Sequence, residues 1–566
     1  MNDIRRTILW VIFGFSLVLL WDKWQVHNGR QATFFPGPPT ATATAPTTAA
    51  SQPPGATSAS ATASPAGSTP AAATAAALAI PRERVTLSSD VLRLSFDSEG
   101  GSLIHGELLK YTGAQDKSAP FVLLEDTPKH IYVAQTGLFG GDFPTHNTPM
   151  RVVPGARELG ESDNEVQLRF ESPEVGGVKL IKTWTLKRGS YDVGVRHEVV
   201  NTGTSSVSPQ LYLQLVRDGS KPDGSDSAFY STFTGPAVYT EAKKYQKVEF
   251  KAIDDNKVDI EKSSPNGYVA MVQHYFATAW LLADGVQREL FVRKIEPKNN
   301  IARYAAGMST ALGEVAPGQT KAVDARLFVG PQVEKTMEGL TPGLELVKDY
   351  GMFTILAKPL YWLLDKIHSL LGNWGWSIVG LVLLLKIAFY WLNAKAYASM
   401  AKMKAINPKI MEMRERLKGN PQQMQMEMMR IYREEKVNPM GGCFPIMIQI
   451  PVFIALYWVL LSSVEIRHAP WIGWVHDLSA PDPYFILPLL MTASTLLQTA
   501  LNPAPPDPMQ AKMMWFMPLI FSVMFFFFPA GLVLYWLTNN ILSIAQQWII
   551  NTRMGVPPQF NLPKFK

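Results

Sequence analysis

Long apolar runs and short alternating segments divide the chain into regions with different hydrophobic periodicities. Residues 7–21 form an uncharged apolar run that follows Arg5 and Arg6, a pattern typical of a signal peptide or of an uncleaved signal anchor. Charged residues begin again at Asp22, where a cleavage site would need small side chains. We therefore predict a transmembrane signal anchor over residues 1–24, with the N-terminus in the cytoplasm because the arginines precede it.

Residues 25–84 consist largely of Pro, Ala, Thr, Ser and Gly. Such a composition cannot bury enough apolar surface to offset the entropy lost on ordering. We predict a disordered tether.

Residues 85–345 change to an alternation of apolar and polar side chains. The alternation is clear over residues 91–96, 166–170 and 178–186, and glycine-containing turns separate the segments. Many short alternating strands with frequent turns predict an all-β sandwich of antiparallel sheets.

A helical period replaces the alternation over residues 346–372. Leucines recur near one side of the predicted helix, and Lys358, Asp365 and Lys366 interrupt the apolar run. We predict an amphipathic interfacial helix lying on the membrane surface; a helix packed on the β domain is the alternative.

Residues 373–552 contain apolar runs long enough to cross a bilayer. We predict an α-helical core of five transmembrane spans, so that the anchor brings the total to six. Residues 525–528 form a phenylalanine run that we expect to face lipid. The predicted spans are residues 374–392, 443–464, 484–501, 513–528 and 531–550.

The loop over residues 395–442 is predicted to be a cytoplasmic helical hairpin. It carries ten Lys or Arg side chains against five Glu side chains, as the positive-inside rule requires of a cytoplasmic loop. Gly419-Asn420-Pro421 breaks it into two helical halves. Its many methionines either close the hairpin on itself or offer an adaptable apolar surface to partners. Residues 553–566 form a basic tail, also predicted to be cytoplasmic.

Lys386 is the one charged residue within the predicted spans. A charge at the centre of a bilayer costs about 2.5–3.5 kcal/mol on insertion scales, so it normally faces a partner or water. No acidic residue lies in any other predicted span. Lys386 is therefore expected to face water or a transient partner.

Amide and hydroxyl side chains recur in the later spans. They join helices by hydrogen bonds in some membrane proteins, and they line wet cavities in others; both interpretations remain open for each residue. Together with Lys386 they could line one cavity, and we select Gln449, Gln498, Thr538, Asn539 and Asn540 as groove residues. The other polar residues of the same spans are Thr492, Ser494, Thr495, Thr499, Ser543, Gln546 and Gln547.

Motifs of covalent chemistry are missing from the sequence. We find no nucleotide-binding loop, nucleophile elbow or metal-ligand cluster, and Cys443 is the single cysteine, so no intrachain disulfide forms. His197 and His274 in the β region are predicted to be structural. We expect no catalytic residue, no metal and no cofactor.

Four segments resemble the YidC family of membrane protein insertases. They are Asn438-Pro-Met-Gly-Gly-Cys-Phe-Pro445, Gln449-Ile-Pro-Val-Phe453, Trp474-Val-His-Asp-Leu-Ser479 and Phe528-Pro-Ala-Gly-Leu-Val-Leu-Tyr535. The resemblance implies the Gram-negative form of the family, with a periplasmic β-supersandwich and a five-helix core around a hydrophilic groove. It places Lys386 where the family more often has arginine, and it assigns Phe453, Tyr535 and Trp536 to a substrate-contact slide.

The resemblance also implies the partners and the location. Nascent membrane proteins are the substrates, received alone or beside the Sec translocon and its accessory subunits, in the bacterial inner membrane. The hairpin and the basic tail are expected to meet ribosomes, signal recognition components or anionic lipids, without nucleic-acid specificity.

Two other functions are compatible with the residues alone. The first is a transporter or channel for a small anion bound at Lys386, although the sequence has no evident inverted repeat. The second is a membrane-anchored protein that binds or processes carbohydrate through its β domain.

Overall fold

The computed structural model describes residues 81–555 and 560, except 114–115, 117, 223–231, 418, 436–443 and 503–507. The predicted anchor, almost all of the tether, Cys443 and most of the basic tail lie outside the described residues. The described chain forms two compact units, residues 81–348 and residues 349–555.

The first unit is built from two antiparallel sheets of nine strands each. This agrees with the predicted all-β sandwich. The strands are β1 (Arg84–Ser88), β2 (Leu92–Asp97), β3 (Ser102–Thr112), β4 (Pro120–Asp126), β5 (Ile131–Phe139), β6 (Arg151–Val152), β7 (Glu165–Glu171), β8 (Val178–Lys187), β9 (Asp192–Asn201), β10 (Gln210–Asp218), β11 (Gly235–Thr240), β12 (Lys244–Lys247), β13 (Ser263–Ser264), β14 (Tyr268–Gln273), β15 (Phe276–Leu282), β16 (Arg288–Lys298), β17 (Ile301–Ala311) and β18 (Thr320–Pro331).

The two sheets differ in strand order. One runs β1-β2-β3-β4-β5-β10-β17-β16-β13 and the other runs β12-β11-β14-β15-β18-β9-β8-β7-β6. Two short helices accompany them, α1 (Phe250–Asp254) and α2 (Glu334–Glu338).

Alternation along each strand sends apolar side chains between the sheets. In β7, Val166, Leu168 and Phe170 are buried while the residues between them are exposed or half-buried. Aromatic rings join the sheets at the centre, where the ring centroids of Phe96 and Trp184 lie 4.8 Å apart. The sequence pattern therefore encodes both the strands and the face that each one buries.

The second unit is helical. A buried apolar cluster joins six of its helices, α3, α4, α7, α8, α9 and α10. The helices are α3 (Thr354–Leu371), α4 (Trp374–Ala388), α5 (Tyr390–Arg416), α6 (Pro421–Glu434), α7 (Phe444–Ser462), α8 (Ile486–Leu501), α9 (Pro508–Phe525) and α10 (Ala530–Arg553).

The helix expected from residue 346 begins at Thr354. A 3₁₀ turn over Gly351–Phe353 precedes it, and Gly351, with φ of +64°, adopts the left-handed conformation that glycine tolerates. Ala357, Leu360 and Leu364 form the buried side of α3, which packs against α4 and α7.

The run at residues 374–392 is not one straight helix. It breaks at Phe389, and α4 and α5 meet there at an angle of 69°. Within the described residues, this bent pair meets the length and hydropathy expected of a membrane span, and no single helix does.

The phenylalanine run at residues 525–528 does not present a uniform outer face. Phe525 and Phe528 are 5% and 7% exposed, whereas Phe527 is 55% exposed. The expectation that the whole run faces outward was wrong, because Phe525 and Phe528 pack into the buried apolar cluster of this unit.

The predicted break at residues 419–421 separates α5 from α6. Asn420 caps α6 by accepting a hydrogen bond from the Gln423 backbone N–H, and Pro421 occupies the first turn. Ile406, Ile410 and Met413 form the buried centre of this hairpin. The methionines divide between the two predicted roles. Met403, Met413, Met424 and Met428 pack inside, and Met411, Met426 and Met429 are exposed.

Candidate functional site

Lys386 lies in the last turn of α4 and points toward α10. Its Nζ donates a hydrogen bond to Ser543 Oγ at 2.7 Å. Among the residues that the structure describes, no carboxylate forms an ion pair with Lys386. The cation thus has a fixed neutral partner, Ser543, whereas the sequence led us to expect water or a transient partner.

A cavity opens beside this lysine between α4, the start of α5, α7 and α10. Its volume is about 40 Å³, and polar and apolar groups share its wall. The lining residues are Val382, Leu385, Lys386, Phe389, Leu392, Asn393, Gln449, Val452, Tyr535 and Asn539.

Gln449 and Asn539 close one side of the cavity together. The Gln449 Nε2 donates to Asn539 Oδ1 at 2.7 Å, which joins α7 to α10. A hydrogen bond between two amides leaves each side chain with further donors and acceptors. The pair is therefore able to bind a polar group in the cavity without breaking its own bond.

Asn540 belongs to the opposite polar face of α10. Its Nδ2 donates to Thr495 Oγ1 at 2.8 Å and to Ser494 Oγ at 3.1 Å, both on α8. Gln547, two turns later, donates to Asn502 Oδ1 at 3.3 Å. Unlike Asn539, these two amides do not line the cavity.

Gln498 and Thr538 do not line the cavity either. Both side chains are half-buried. Neither forms a hydrogen bond with the side chain of another described residue. Of the six predicted groove residues, the structure brings Lys386, Gln449 and Asn539 together around one space.

Three aromatic side chains predicted as a contact surface form one cluster. The ring of Phe453 stacks on Tyr535 at 5.9 Å and meets Trp536 edge-on at 4.7 Å. Trp536 in turn contacts Phe525 at 5.3 Å. Tyr535 is 3% exposed and lines the cavity, so the cluster extends from the cavity wall to α9.

Ser543, Asn393 and Gln546 were missing from the predicted site. Asn393 donates to Gln546 at 3.4 Å beside the cavity. Asn539, Ser543 and Gln546 follow the i, i+4, i+7 spacing of one helix face. That spacing was available in the sequence and would have identified both Ser543 and Gln546.

The Asp477 carboxylate holds the segment after α7 in shape through hydrogen bonds. Asp477 accepts from His468 Nδ1 at 2.8 Å and from Ser479 Oγ at 2.6 Å. Burial raises the pKa of Asp477, but the hydrogen bonds from Ser479 and His468 outweigh it and hold the pKa below its usual value. The motif at residues 474–479 therefore has a structural role in shaping this loop.

The β unit has an unusual buried lysine. Lys182 is fully buried and donates from Nζ to the carbonyl oxygens of Gly100 and Thr136, each at 2.6 Å. Burial lowers its pKa to about 7. His197 is 1% exposed and bonds Thr136 Oγ1 at 3.0 Å; burial, and then Lys182, lower its pKa to about 3.

These contacts make His197 a core residue, as predicted. His274 stacks on Tyr275 with ring centroids 3.8 Å apart.

Two family models match the chain and together cover nearly all of the described residues. The YidC periplasmic domain matches residues 84–363 and the 60Kd inner membrane protein family matches residues 366–556.

Named relatives match over almost the full length. The membrane protein insertase YidC of Cupriavidus metallidurans is 55% identical over 554 residues, which is 98% of this chain and 98% of the relative. That of Ralstonia nicotianae is 54% identical over 553 residues, with the same coverage. A crystal structure of an active YidC insertase with its first transmembrane domain resolved is 17% identical and has a TM-score of 0.36, covering 82% of this chain and 91% of that one.

Proposed function

Because the chain belongs to the YidC family of membrane protein insertases, we propose that the cavity beside Lys386 receives the polar residues of a membrane protein during insertion. The chain is an insertase of the inner membrane whose β unit is the periplasmic domain. The observation that carries the proposal is a cation without an acidic partner among the described residues, set in a polar wall.

The physical problem of insertion is the translocation of polar residues. An apolar segment gains roughly 25 cal/mol for each Å² removed from water, whereas the polar tail ahead of it must cross the hydrocarbon. The amides of Gln449 and Asn539 offer hydrogen bonds along that path. A polar cavity thus lowers the barrier, and the partition of the apolar segment into lipid supplies the drive.

Lys386 adds selectivity for charge. An acidic tail is attracted to the ammonium, and the attraction is stronger in a partly buried site than in water because the effective dielectric constant is lower. The bond to Ser543 leaves the charge itself unneutralised. We propose that Lys386 captures acidic residues transiently and releases them once the apolar segment has left the cavity.

The aromatic cluster is proposed as the slide for the incoming apolar segment. Phe453 and Trp536 are half-buried and adjoin the cavity through Tyr535. A segment whose polar end lies beside Lys386 would meet these rings next. The large adaptable surface of aromatic rings suits substrates of many sequences.

We further propose the topology and partners of the whole chain. The termini and the hairpin α5–α6 lie in the cytoplasm, with residues 1–24 as the anchor and five later spans. Sec subunits, ribosomes, signal recognition components and anionic lipids are the partners proposed for the cytoplasmic and membrane surfaces. Exposed Met426 and Met429, beside Arg430 and Arg433, give the hairpin a surface suited to apolar and acidic groups.

Disulfide capture of a substrate tests the cavity. In a Cys443→Ser background, a cysteine at Asn539 should cross-link to a cysteine in the translocated tail of a stalled small membrane protein. A cysteine at Asn540, one residue away on the α8 side, is the matched control and should not. Cross-linking at both positions or only at Asn540 would refute the proposed cavity.

A further inference from the structure

The geometry points to Ser543 as a positioning residue that holds the Lys386 ammonium against the cavity wall; this inference rests on the function proposed above. The Nζ–Oγ distance is 2.7 Å. Lysine has a long flexible stem that loses considerable rotamer entropy when fixed. A fixed acceptor at the end of the stem is therefore needed to keep the charge in one place.

The orientation of the Ser543 hydroxyl is itself fixed. Its Oγ donates to the Asn539 carbonyl oxygen one turn earlier at 2.6 Å. With the proton engaged there, the lone pairs face Lys386, and the Tyr397 side chain shares the same hydroxyl. Ser543 is 3% exposed, so water competes poorly for this acceptor.

The arrangement leaves the cation free to act. An ammonium has three N–H donors, and Ser543 takes one of them. No other acceptor for Lys386 lies among the described residues, so two donors remain directed at the cavity. Ser543 thus fixes the position of the charge without neutralising it. A carboxylate at the same place would neutralise the charge.

A single hydroxyl acceptor also fits a lysine better than an arginine. An ammonium is a point charge satisfied by one acceptor at a time, whereas a guanidinium presents a planar fork that pairs best with two acceptors. Lys386 and Ser543 therefore form a matched pair in this chain. This pairing gives a physical reason for a lysine at position 386.

The test compares Ser543→Val with Ser543→Thr. The two variants have nearly the same shape, but valine has a methyl group where threonine has a hydroxyl. Each full-length variant is measured for insertion of one reporter whose translocated tail carries two aspartates, and of the same reporter with two asparagines. Membrane levels of each variant are measured in parallel, so that misfolding is detected separately.

We expect Ser543→Val to slow the acidic reporter about tenfold relative to the neutral one, since a hydrogen bond to a charged group is worth roughly that factor or more. Ser543→Thr should restore the ratio. In a Lys386→Met background, Ser543→Val should have no further effect on it. Equal slowing of both reporters, equal behaviour of the valine and threonine variants, or a remaining effect without Lys386 would each overturn the positioning role.

The same experiment separates this inference from the proposed function. If Lys386→Met leaves the preference for the acidic reporter intact, the proposed role of Lys386 fails. If Lys386→Met abolishes that preference and Ser543→Val does not, only the inference about Ser543 fails.

Discussion

The side-chain amide of Asn540 donates to the hydroxyl of Thr495 at 2.8 Å, which fastens α10 to α8. Its neighbour Asn539 points about 100° away around the helix and accepts from Gln449 at the cavity. One helix therefore divides its polar residues between two tasks. The face that includes Asn540 stabilises the bundle, and the face that includes Asn539 forms the wall beside Lys386.

Replacing Asn540 with leucine should destabilise the helical unit without changing which substrates it inserts. Hydrogen bonds between membrane helices contribute roughly 0.6–1.7 kcal/mol, and we expect a loss of about 1 kcal/mol. Unfolding of the purified protein in mixed detergent micelles measures it. Thr538→Val, at a site without a side-chain partner among the described residues, should have almost no effect. A selective loss of acidic-tail insertion in Asn540→Leu at unchanged stability would contradict the division of faces.

Replacing both Gln449 and Asn539 should restore stability lost in the single variants and yet lower the rate of insertion further. Gln449→Leu or Asn539→Leu leaves one amide without its partner, at a cost of about 1–3 kcal/mol. The double leucine variant should recover much of that stability because no unpaired amide remains. Its insertion of polar tails should nevertheless be the slowest of the three. If the double variant inserts polar tails as well as the wild type, the polarity of this wall has no role.

The polar residues of α10 show which features of the site could be predicted from the sequence and which could not. Composition and periodicity predicted the helix and its polar residues. They could not predict that Asn539 and Asn540 serve different faces, because that depends on which helices flank α10. Gln498 was selected for being polar in an apolar run, and it does not reach the cavity. The spacing of Asn539 and Ser543 carried the missing information, which became usable once Lys386 was known to lie opposite.

Local backbone geometry decided where helices begin and break, and the sequence pattern did not predict these points. Alternation predicted strands such as β7, which buries every second residue. It is absent from β11, β14 and β15, which are buried on both faces. The helix α3 begins only after a 3₁₀ turn over Gly351–Phe353, and the break at Phe389 interrupts an apolar run that is continuous in the sequence. A periodicity analysis is insensitive to both, because neither changes the order of apolar and polar residues.

Lys182 should make the stability of the β unit rise with pH above neutrality. The folded state releases its proton near pH 7, whereas the unfolded chain keeps it to about pH 10.4. Because the unfolded state then binds more protons, the free energy of unfolding increases by up to ~1.4 kcal/mol per pH unit across this range. Urea unfolding of the full-length protein, followed through the fluorescence of buried Trp184 and Trp280, measures the trend.

Lys182→Met is the matched variant for this prediction. Methionine fills similar volume and has no titrating group, so the rise between pH 7 and pH 10 should be smaller than in the wild type. A parallel pH dependence in the two proteins would mean that Lys182 keeps its proton in the folded state.

The hairpin core should depend on Ile410 and not on its neighbour Met411. Ile410 is 1% exposed between α5 and α6, whereas Met411 is 48% exposed. Ile410→Ala should cost about 2–5 kcal/mol through a cavity, and Met411→Ala close to nothing. Hydrogen exchange of α6 amides in the full-length protein distinguishes them. Equal protection in the two variants would show that the hairpin does not rely on this packing.

The central claim is that the charge of Lys386 selects the polar residues that enter the cavity. The most direct test measures insertion rates of a short-tailed reporter in membranes that contain only wild-type insertase or only Lys386→Glu, with two aspartates or two lysines in the tail. We predict that the wild type prefers the acidic tail and that Lys386→Glu reverses this preference, each by about tenfold, which corresponds to ~1.4 kcal/mol. The same preference in both proteins would contradict the account.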